Sequence, residues 1–357
     1  MIHRFPYRWT LKDSVFTKNK GKVFSCFSCG GGSTMGYKLA GFDVIGCNEL
    51  DPRMMAAYIA NHNPKYPYLE PIQIFKIRKD LPPELYDLDI LDGSPPCSSF
   101  SMAGNREDDW GKDKRFREGQ AEQVLDTLFF DFIELANKLQ SKIVIAENVK
   151  GLLLGDAKAY VRRINGEFDL AGYHVQHFLL DSSKMGVPQK RERVFFIALR
   201  KDLSGPFMEQ KDMFTTLPKL YLSFKEPEIK YGEIYDGKGE PITEYKKQAW
   251  FHRRPTDNGI ADSKKRAGMK VSDFNHCYLF KDKVMPTITA KGAHGMSLYE
   301  EPIKPSENEI MLGGAFPLDY DFQGSQAGYL IGMSVPPLMT ANIAVEIYNQ
   351  WLSKINT

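Results

Sequence analysis

Residues 23–36 read VFSCFSCGGGSTMG. Val23 to Phe27 form a short apolar run of strand length, Gly30, Gly31 and Gly32 follow as a turn, and a helix is expected from near Ser33 through Gly36. Strand, glycine-rich turn and helix in that order open an α/β fold, and glycine there permits positive φ and close backbone approach to a ligand. Roughly 20 residues further on, the apolar run Val44 to Cys47 ends in Glu49, where a carboxylate can accept hydrogen bonds from two ribose hydroxyls. Together these segments describe a nucleoside site. The absence of a Gly-Lys-Ser/Thr ending argues against a triphosphate-cradling loop, while a nicotinamide dehydrogenase stays open on this segment alone. Cys26 and Cys29 form a Cys-x-x-Cys pair with no second pair in the sequence, so packing is expected there rather than a metal or redox site.

Outward from this segment, short apolar runs recur at Ile90 to Leu91, Ile143 to Ala146 and Val194 to Leu199, separated by longer mixed segments. That alternation predicts an α/β fold with a mostly parallel, doubly wound sheet. Within 120–139, Val124, Leu128, Phe132, Leu135 and Leu139 recur at helical spacing and predict a helix covering the sheet. After Arg200 the texture changes: prolines and glycines punctuate aromatic-rich runs without a helical period, which predicts a smaller, irregular domain. A helical pattern returns from Met333 to Trp351 and is expected to pack back on the first domain. The expected division is 1–200, 201–302 and a returning segment 303–357.

The chain has 357 residues, 42% of them hydrophobic, enough for a large core, and 47 basic against 45 acidic residues. A net charge of +2 means that binding to a polyanion must come from local clustering. Neither the first 22 residues nor any later run reads as a signal or a membrane span, and five irregularly spaced cysteines argue for a reducing compartment. The expectation is a cytoplasmic protein without a structural metal.

A second candidate centre lies in residues 89–104, DILDGSPPCSSFSMAG. Pro95 and Pro96 fix φ before Cys97, and a thiol at the carboxyl end of a strand in an open α/β sheet stands where ligands bind. The strand reading IVIAENVK ends in Glu147 and Asn148, and QKRER at 189–193 brings Arg191 and Arg193 to the start of another strand. A cysteine, a carboxylate and arginines at strand ends of one sheet make a joint case for a reactive site.

These blocks, in this order, resemble the C5-specific DNA cytosine methyltransferases of bacteria and phages. The resemblance rests on the turn around Phe27, Asn-Glu-x-Asp at 48–51, Pro-Pro-Cys-x-x-Phe-Ser at 95–101, Glu-Asn-Val at 147–149 and Gln-x-Arg-x-Arg at 189–193. It resumes from Val284, where Gly332 to Pro336 resembles the family's Gly-Asn-x-Val-Pro block with Met333 in place of asparagine. Cys29 stands where the family usually has glycine.

The resemblance implies the S-adenosylmethionine-dependent methyltransferase fold with a small target-recognition domain. It implies a cofactor site made by Phe27, Gly30, Gly32, Glu49, Leu50, Ile72, Pro96, Leu128, Ser334 and Val335. In the reaction it implies, Cys97 adds to carbon 6 of a flipped-out cytosine, Glu147 holds nitrogen 3 and the exocyclic amine, Arg193 holds the base oxygen and orients Glu147, and Arg191 supports them. The substrate implied is double-stranded DNA, methylated by a monomer, with room for a cognate restriction endonuclease acting separately. Residues 102–118, long and polar, suit a lid. Residues 245–283 carry ten basic against four acidic residues with Trp250, Phe251 and His252 interleaved, which suggests phosphate contacts. Three alternatives remain: a transfer-RNA cytosine methyltransferase of the same family, a dinucleotide-dependent oxidoreductase, and a catalytically inactive DNA-binding relative.

Overall fold

The computed structural model describes residues 2–96, 113–114, 123–124, 127–155, 157–211, 216–271 and 275–355. It divides into two compact units, each assembled from three chain segments. The sheet unit comprises Val15–Leu180, Glu192–Ser223 and Thr340–Thr357, and the second unit comprises Met1–Ser14, Asp181–Arg191 and Phe224–Met339.

The sheet unit is built on seven strands: β1 (Lys22–Cys26), β2 (Asp43–Glu49), β3 (Tyr66–Leu69), β4 (Ile90–Gly93), β5 (Ile143–Val149), β6 (Tyr173–Asp181) and β7 (Glu192–Arg200). Their order across the sheet is β3-β2-β1-β4-β5-β7-β6. Strands β1 to β5 pair in parallel, and β7 runs antiparallel to β5. The order reverses at β1, whose neighbours are β2 on one side and β4 on the other, so the carboxyl ends of β1 and β4 mark the switch point where open α/β sheets bind ligands.

Four main helices flank this sheet: α1 (Gly32–Leu39), α2 (Pro52–His62), α3 (Leu128–Leu139) and α4 (Ala157–Leu170). The sequence placed a helix from 120 onward with Val124 on its face; α3 begins at Leu128, and Gln123–Val124 instead pair antiparallel with Asp113–Lys114, so Val124 is not part of that helix. Strand residues alternate between the two faces. Asp92 of β4 bonds to Tyr37 of α1, while a Cβ on the neighbouring Gly93 would come within 2.6 Å of Phe132 in α3, so helices cover both faces. The α3 face carries the main core, with Phe24, Leu91, Val144, Phe129, Phe132, Phe168 and Phe196 buried together. Of the expected returning segment 303–357 only Thr340–Thr357 belongs to this unit, where the Trp351 indole N–H donates to the Lys219 carbonyl at 2.8 Å, while 303–339 belongs to the second unit.

The second unit contains a two-stranded parallel ladder, Cys277–Leu279 with Met296–Leu298, and a small core of Ile242, Ala249, Trp250, Ile260 and Tyr278. The turn Asp181–Arg191 belongs here because its main chain and side chains are spent on later residues: Lys190 N–H donates to Met285 O, and Gln189 bonds to both Gly313 O and Ile288 N–H.

The run Ala327–Ile355 is long and apolar enough to cross a membrane by length and composition, which corrects the reading that no stretch is. Of its most apolar window 83% is buried, as in the core helix of a globular protein.

Candidate active site

The cofactor turn owes its shape to three residues in the left-handed region, Phe27 (φ 51°), Cys29 (φ 47°) and Gly31 (φ 81°). Of the three consecutive glycines only Gly31 uses that freedom. It also has no room for a side chain, because a Cβ there would stand 2.2 Å from His62 Nε2. Cys29 adopts the conformation that glycine takes without cost, so the turn is kept at the expense of some backbone strain.

The Asn48–Asp51 segment does three separate jobs. The Asn48 amide donates to the carbonyls of Tyr68 (3.3 Å) and Glu70 (2.8 Å), fastening the end of β2 to β3 and the residue after it. Asp51 caps α2 by accepting from Arg53 N–H at 2.9 Å, with Pro52 as the first helical residue. Glu49 stands at the carboxyl end of β2, half-buried. Its Oε2 accepts from Cys29 N–H at 2.7 Å and its Oε1 from Leu50 and Asp51 N–H at 2.8 and 2.9 Å. Burial raises its pKa, against the opposing pull of these three amides. A carboxylate has about four lone-pair positions, so these bonds lock its orientation and leave acceptor capacity for a hydroxyl.

Around it, Phe27 is half-buried and packs its ring edge-on to Phe132 at 6.3 Å between centroids. Gly30 and Gly32 are buried, Leu50 and Pro96 half-buried, and Ile72 and Leu128 lie in the main core. Ser334 and Val335 belong to the second unit, both buried, and the Ser334 hydroxyl donates to Leu330 O at 2.8 Å.

On the reactive side, Cys97 and the expected lid at 102–118 lie outside the described residues, apart from the pair 113–114. The chain leading to Cys97 is described as far as Pro96, and it is held from below: the Asn148 amide donates to Pro95 O at 3.1 Å. Glu147 and Arg193 form a close ion pair, Oε1 to Nε 2.9 Å, with side chains 11% and 15% exposed. The pair follows from register. Val149 faces Arg193 across the β5–β7 ladder, and Glu147, two residues back, shares its side of the sheet. Burial pulls the Arg193 pKa down, and Glu147 opposes that fall.

Arg191 belongs to the second unit and is committed there, its guanidinium donating to Ile288 O at 2.8 Å and Gly332 O at 3.0 Å. It precedes β7, which begins at Glu192, so it does not share that strand's alternation with Arg193. Trp250, expected among phosphate-facing residues, is a core residue whose indole donates to Leu298 O, whereas Phe251 beside it is 65% exposed. Lys264 is buried with its ammonium 4.7 Å from the Tyr245 ring, Arg266 pairs with Asp257, and Lys265 is exposed.

Sequence reasoning missed Asp92, a buried carboxylate in β4 bonded by Ser25 and Tyr37. Its only signal was an aspartate inside an otherwise apolar strand.

A family model described as C-5 cytosine-specific DNA methylase matches residues 21–349. The Type II methyltransferase M.NgoPII of Neisseria gonorrhoeae is 37% identical over 209 residues, 57% of this chain and 57% of that protein. The chain thus matches little more than half of that relative's length. M.NgoFVII, another Type II methyltransferase of Neisseria gonorrhoeae, is 26% identical over 347 residues, 93% of this chain and 87% of the relative. The structure of a DNMT2 variant from Spodoptera frugiperda shares the fold, with a TM-score of 0.57 at 19% identity, covering 90% of this chain and 98% of that one.

Proposed function

Since the chain belongs to the C-5 cytosine-specific DNA methylase family, we propose that it transfers a methyl group from S-adenosylmethionine to carbon 5 of cytosine in double-stranded DNA. The observation that carries this reading is the Glu147–Arg193 ion pair on the same sheet as the Asn148-braced approach to Cys97. A dinucleotide oxidoreductase would give these groups no task.

The donor set suits the cofactor. Glu49, locked by three amides with acceptor capacity to spare, would take the ribose hydroxyls, and Phe27, Leu50, Ile72 and Leu128 would give the adenine apolar walls. Gly30, Gly32 and Pro96 would line the remaining contour, with Ser334 and Val335 assigned to it by resemblance. Bound there, S-adenosylmethionine supplies a methyl group on positively charged sulfur, open to attack by a carbon nucleophile.

Carbon 5 of cytosine is too weak a nucleophile unaided, so the ring needs covalent activation. The Cys97 thiolate adds to carbon 6, and the ring electrons shift toward carbon 5. Glu147 bonds to nitrogen 3 and the exocyclic amine and supports protonation of the ring, while Arg193 fixes the Glu147 carboxyl. Carbon 5 would then bond to the methyl carbon that the cofactor supplies as the methyl–sulfur bond breaks, and loss of the carbon 5 proton to a base expels Cys97 and restores the aromatic ring. Arg191 is assigned to this centre by resemblance. The target base must leave the helix to reach these groups, at a cost of a few kcal/mol. We place the reaction in the cytoplasm, carried out by a monomer, with room for a cognate restriction endonuclease acting separately.

Incubation of the protein with labelled S-adenosylmethionine and separate DNA and transfer-RNA pools tests the proposal. Label is expected in DNA cytosine and lost in Cys97→Ala, and DNA containing 5-fluorocytosine should be trapped on the parent protein as a denaturation-resistant adduct. Label in transfer RNA alone, or transfer by Cys97→Ala within tenfold of the parent, overturns it.

A further inference from the structure

Asp92 is the third residue of β4 and is 4% exposed. Its Oδ2 accepts from Ser25 Oγ at 2.8 Å and its Oδ1 from Tyr37 OH at 3.0 Å. Ser25 lies in β1 and Tyr37 in α1, the two elements joined by the turn Phe27–Gly31, so the carboxyl is tied to both sides of the cofactor loop. Register places Ser25 opposite Asp92 and Asp92 opposite Ile145, so Asp92 shares a sheet face with Glu147.

A buried carboxylate is stable as an anion only where hydrogen bonds and a counter-charge compensate its lost hydration. The hydroxyls of Ser25, Tyr37 and Ser33 provide part of this. Arg193, on the same face, is already paired with Glu147. Burial accordingly pushes Asp92 up to about 7, with Ser25, Tyr37 and Ser33 pulling it down and the Glu147 charge pushing it further up. At neutral pH the group is therefore poised between its two states and responds to a cation brought near it.

We propose that Asp92 is a positioning residue that serves as counter-charge to the sulfonium of the cofactor, making the site prefer S-adenosylmethionine over its uncharged thioether product, S-adenosylhomocysteine. This rests on the cofactor reading above. The two molecules differ by one methyl group and one positive charge, so a preference based on charge comes from a carboxylate of the site, and the Asp92→Asn variant separates the share of Asp92 from that of Glu49. After transfer the carboxylate loses its counter-charge, takes up a proton from water, and the thioether is held less tightly.

Among the described residues, the groups facing Asp92 are Ser25 and Cys26 from β1, Ser33 and Tyr37 from α1, and Glu147 from β5. Burial holds Cys26 and Tyr37 well above their ordinary pKa, so both stay protonated near neutrality. The sign of the pH dependence follows. Above about pH 7 Asp92 is already ionised and the sulfonium binds at full strength; below it, binding must first expel a proton, and affinity falls by up to tenfold per pH unit.

Calorimetry of both ligands with the full chain, from about pH 5.5 to about pH 8.5, tests this. In the parent, S-adenosylmethionine affinity should fall on acidification while S-adenosylhomocysteine affinity stays level. Asp92→Asn should lose that step and reduce the preference for the sulfonium by about tenfold. Tyr37→Phe, which keeps the charge and removes one donor, should move the step to higher pH, and Glu147→Gln should move it to lower pH. Equal weakening of both ligands in Asp92→Asn would make the residue a structural brace, and an unchanged preference would remove it from the site. Should Asp92→Asn not fold, an unmoved step in Tyr37→Phe overturns the proposal. Parent protein that binds neither ligand overturns the cofactor reading itself, whereas parent protein that binds both with the same pH profile overturns only the role of Asp92.

Discussion

The Asn148 side-chain amide donates to the Pro95 carbonyl across 3.1 Å, joining the end of β5 to the chain two residues before Cys97. Asn148 also turns its Oδ1 to Val149 N–H at 2.8 Å, so both ends of its amide are fixed. The residue beside Glu147 thus carries no reacting atom and still sets where the Cys97 loop begins.

Replacing Asn148 by Ala leaves a buried carbonyl without its donor, a loss of about 1–3 kcal/mol. If that energy is spent on aligning Cys97, the transfer rate falls about tenfold to a hundredfold with S-adenosylmethionine affinity nearly unchanged. Single-turnover kinetics set beside calorimetry separate the two, and a loss confined to cofactor binding would detach this brace from the reaction.

Glu49→Ala removes the acceptor for Cys29, Leu50 and Asp51 N–H together with the proposed ribose contact. Cofactor binding should weaken by about 1.5–3 kcal/mol. Unchanged affinity in calorimetry would mean that the nucleoside binds elsewhere.

The turn offers a paired test of strain. Gly31→Ala meets both a φ of 81° and a contact of 2.2 Å with His62 Nε2. It should destabilise the protein by about 2 kcal/mol or more. Cys29→Gly relieves a φ of 47° and should leave stability unchanged or raise it by up to about 1 kcal/mol. Urea unfolding measures both, and a destabilising Cys29→Gly would show that its sulfur contact with Met54, 3.6 Å away, outweighs the strain.

Among the basic residues of 260–266, Lys265 and Arg266 are exposed, and Arg266 is paired with Asp257, which makes Lys265 the residue to test. If DNA lies against this surface, Lys265→Ala should reduce the slope of log affinity against log salt by about 1. Lys264→Ala should lower stability and leave the slope alone, because its ammonium is buried over Tyr245. Equal slopes for parent and Lys265→Ala, measured by filter binding, would take this surface out of the interface.

What the sequence made legible was the part governed by local chemistry. Strand β1, its glycine turn and Glu49 could be read directly, since apolar runs, glycines and a strand-end carboxylate each carry their meaning locally. Strand β6 was missed: YHVQHFLLD mixes polar and apolar residues without clean alternation, and only its place beside β7 makes it a strand. Arg191 and Arg193 looked equivalent two residues apart. Their separation into different units depends on Gln189 and Lys190 reaching residues about a hundred positions later, which no local pattern reveals. Asp92 escaped for a related reason, since its partners Ser25 and Tyr37 are distant in the chain.

The way the sheet unit draws on Val15–Leu180, Glu192–Ser223 and Thr340–Thr357 sets a timetable for its birth. The ribosome makes β1 through β7 long before Trp351, which ends fully buried with its indole on the Lys219 carbonyl. For the whole time taken to synthesise residues 224–339, the nascent sheet waits with an apolar surface uncovered. This interval exposes it to aggregation and makes it a natural client for a chaperone that holds apolar surface until the final helix arrives.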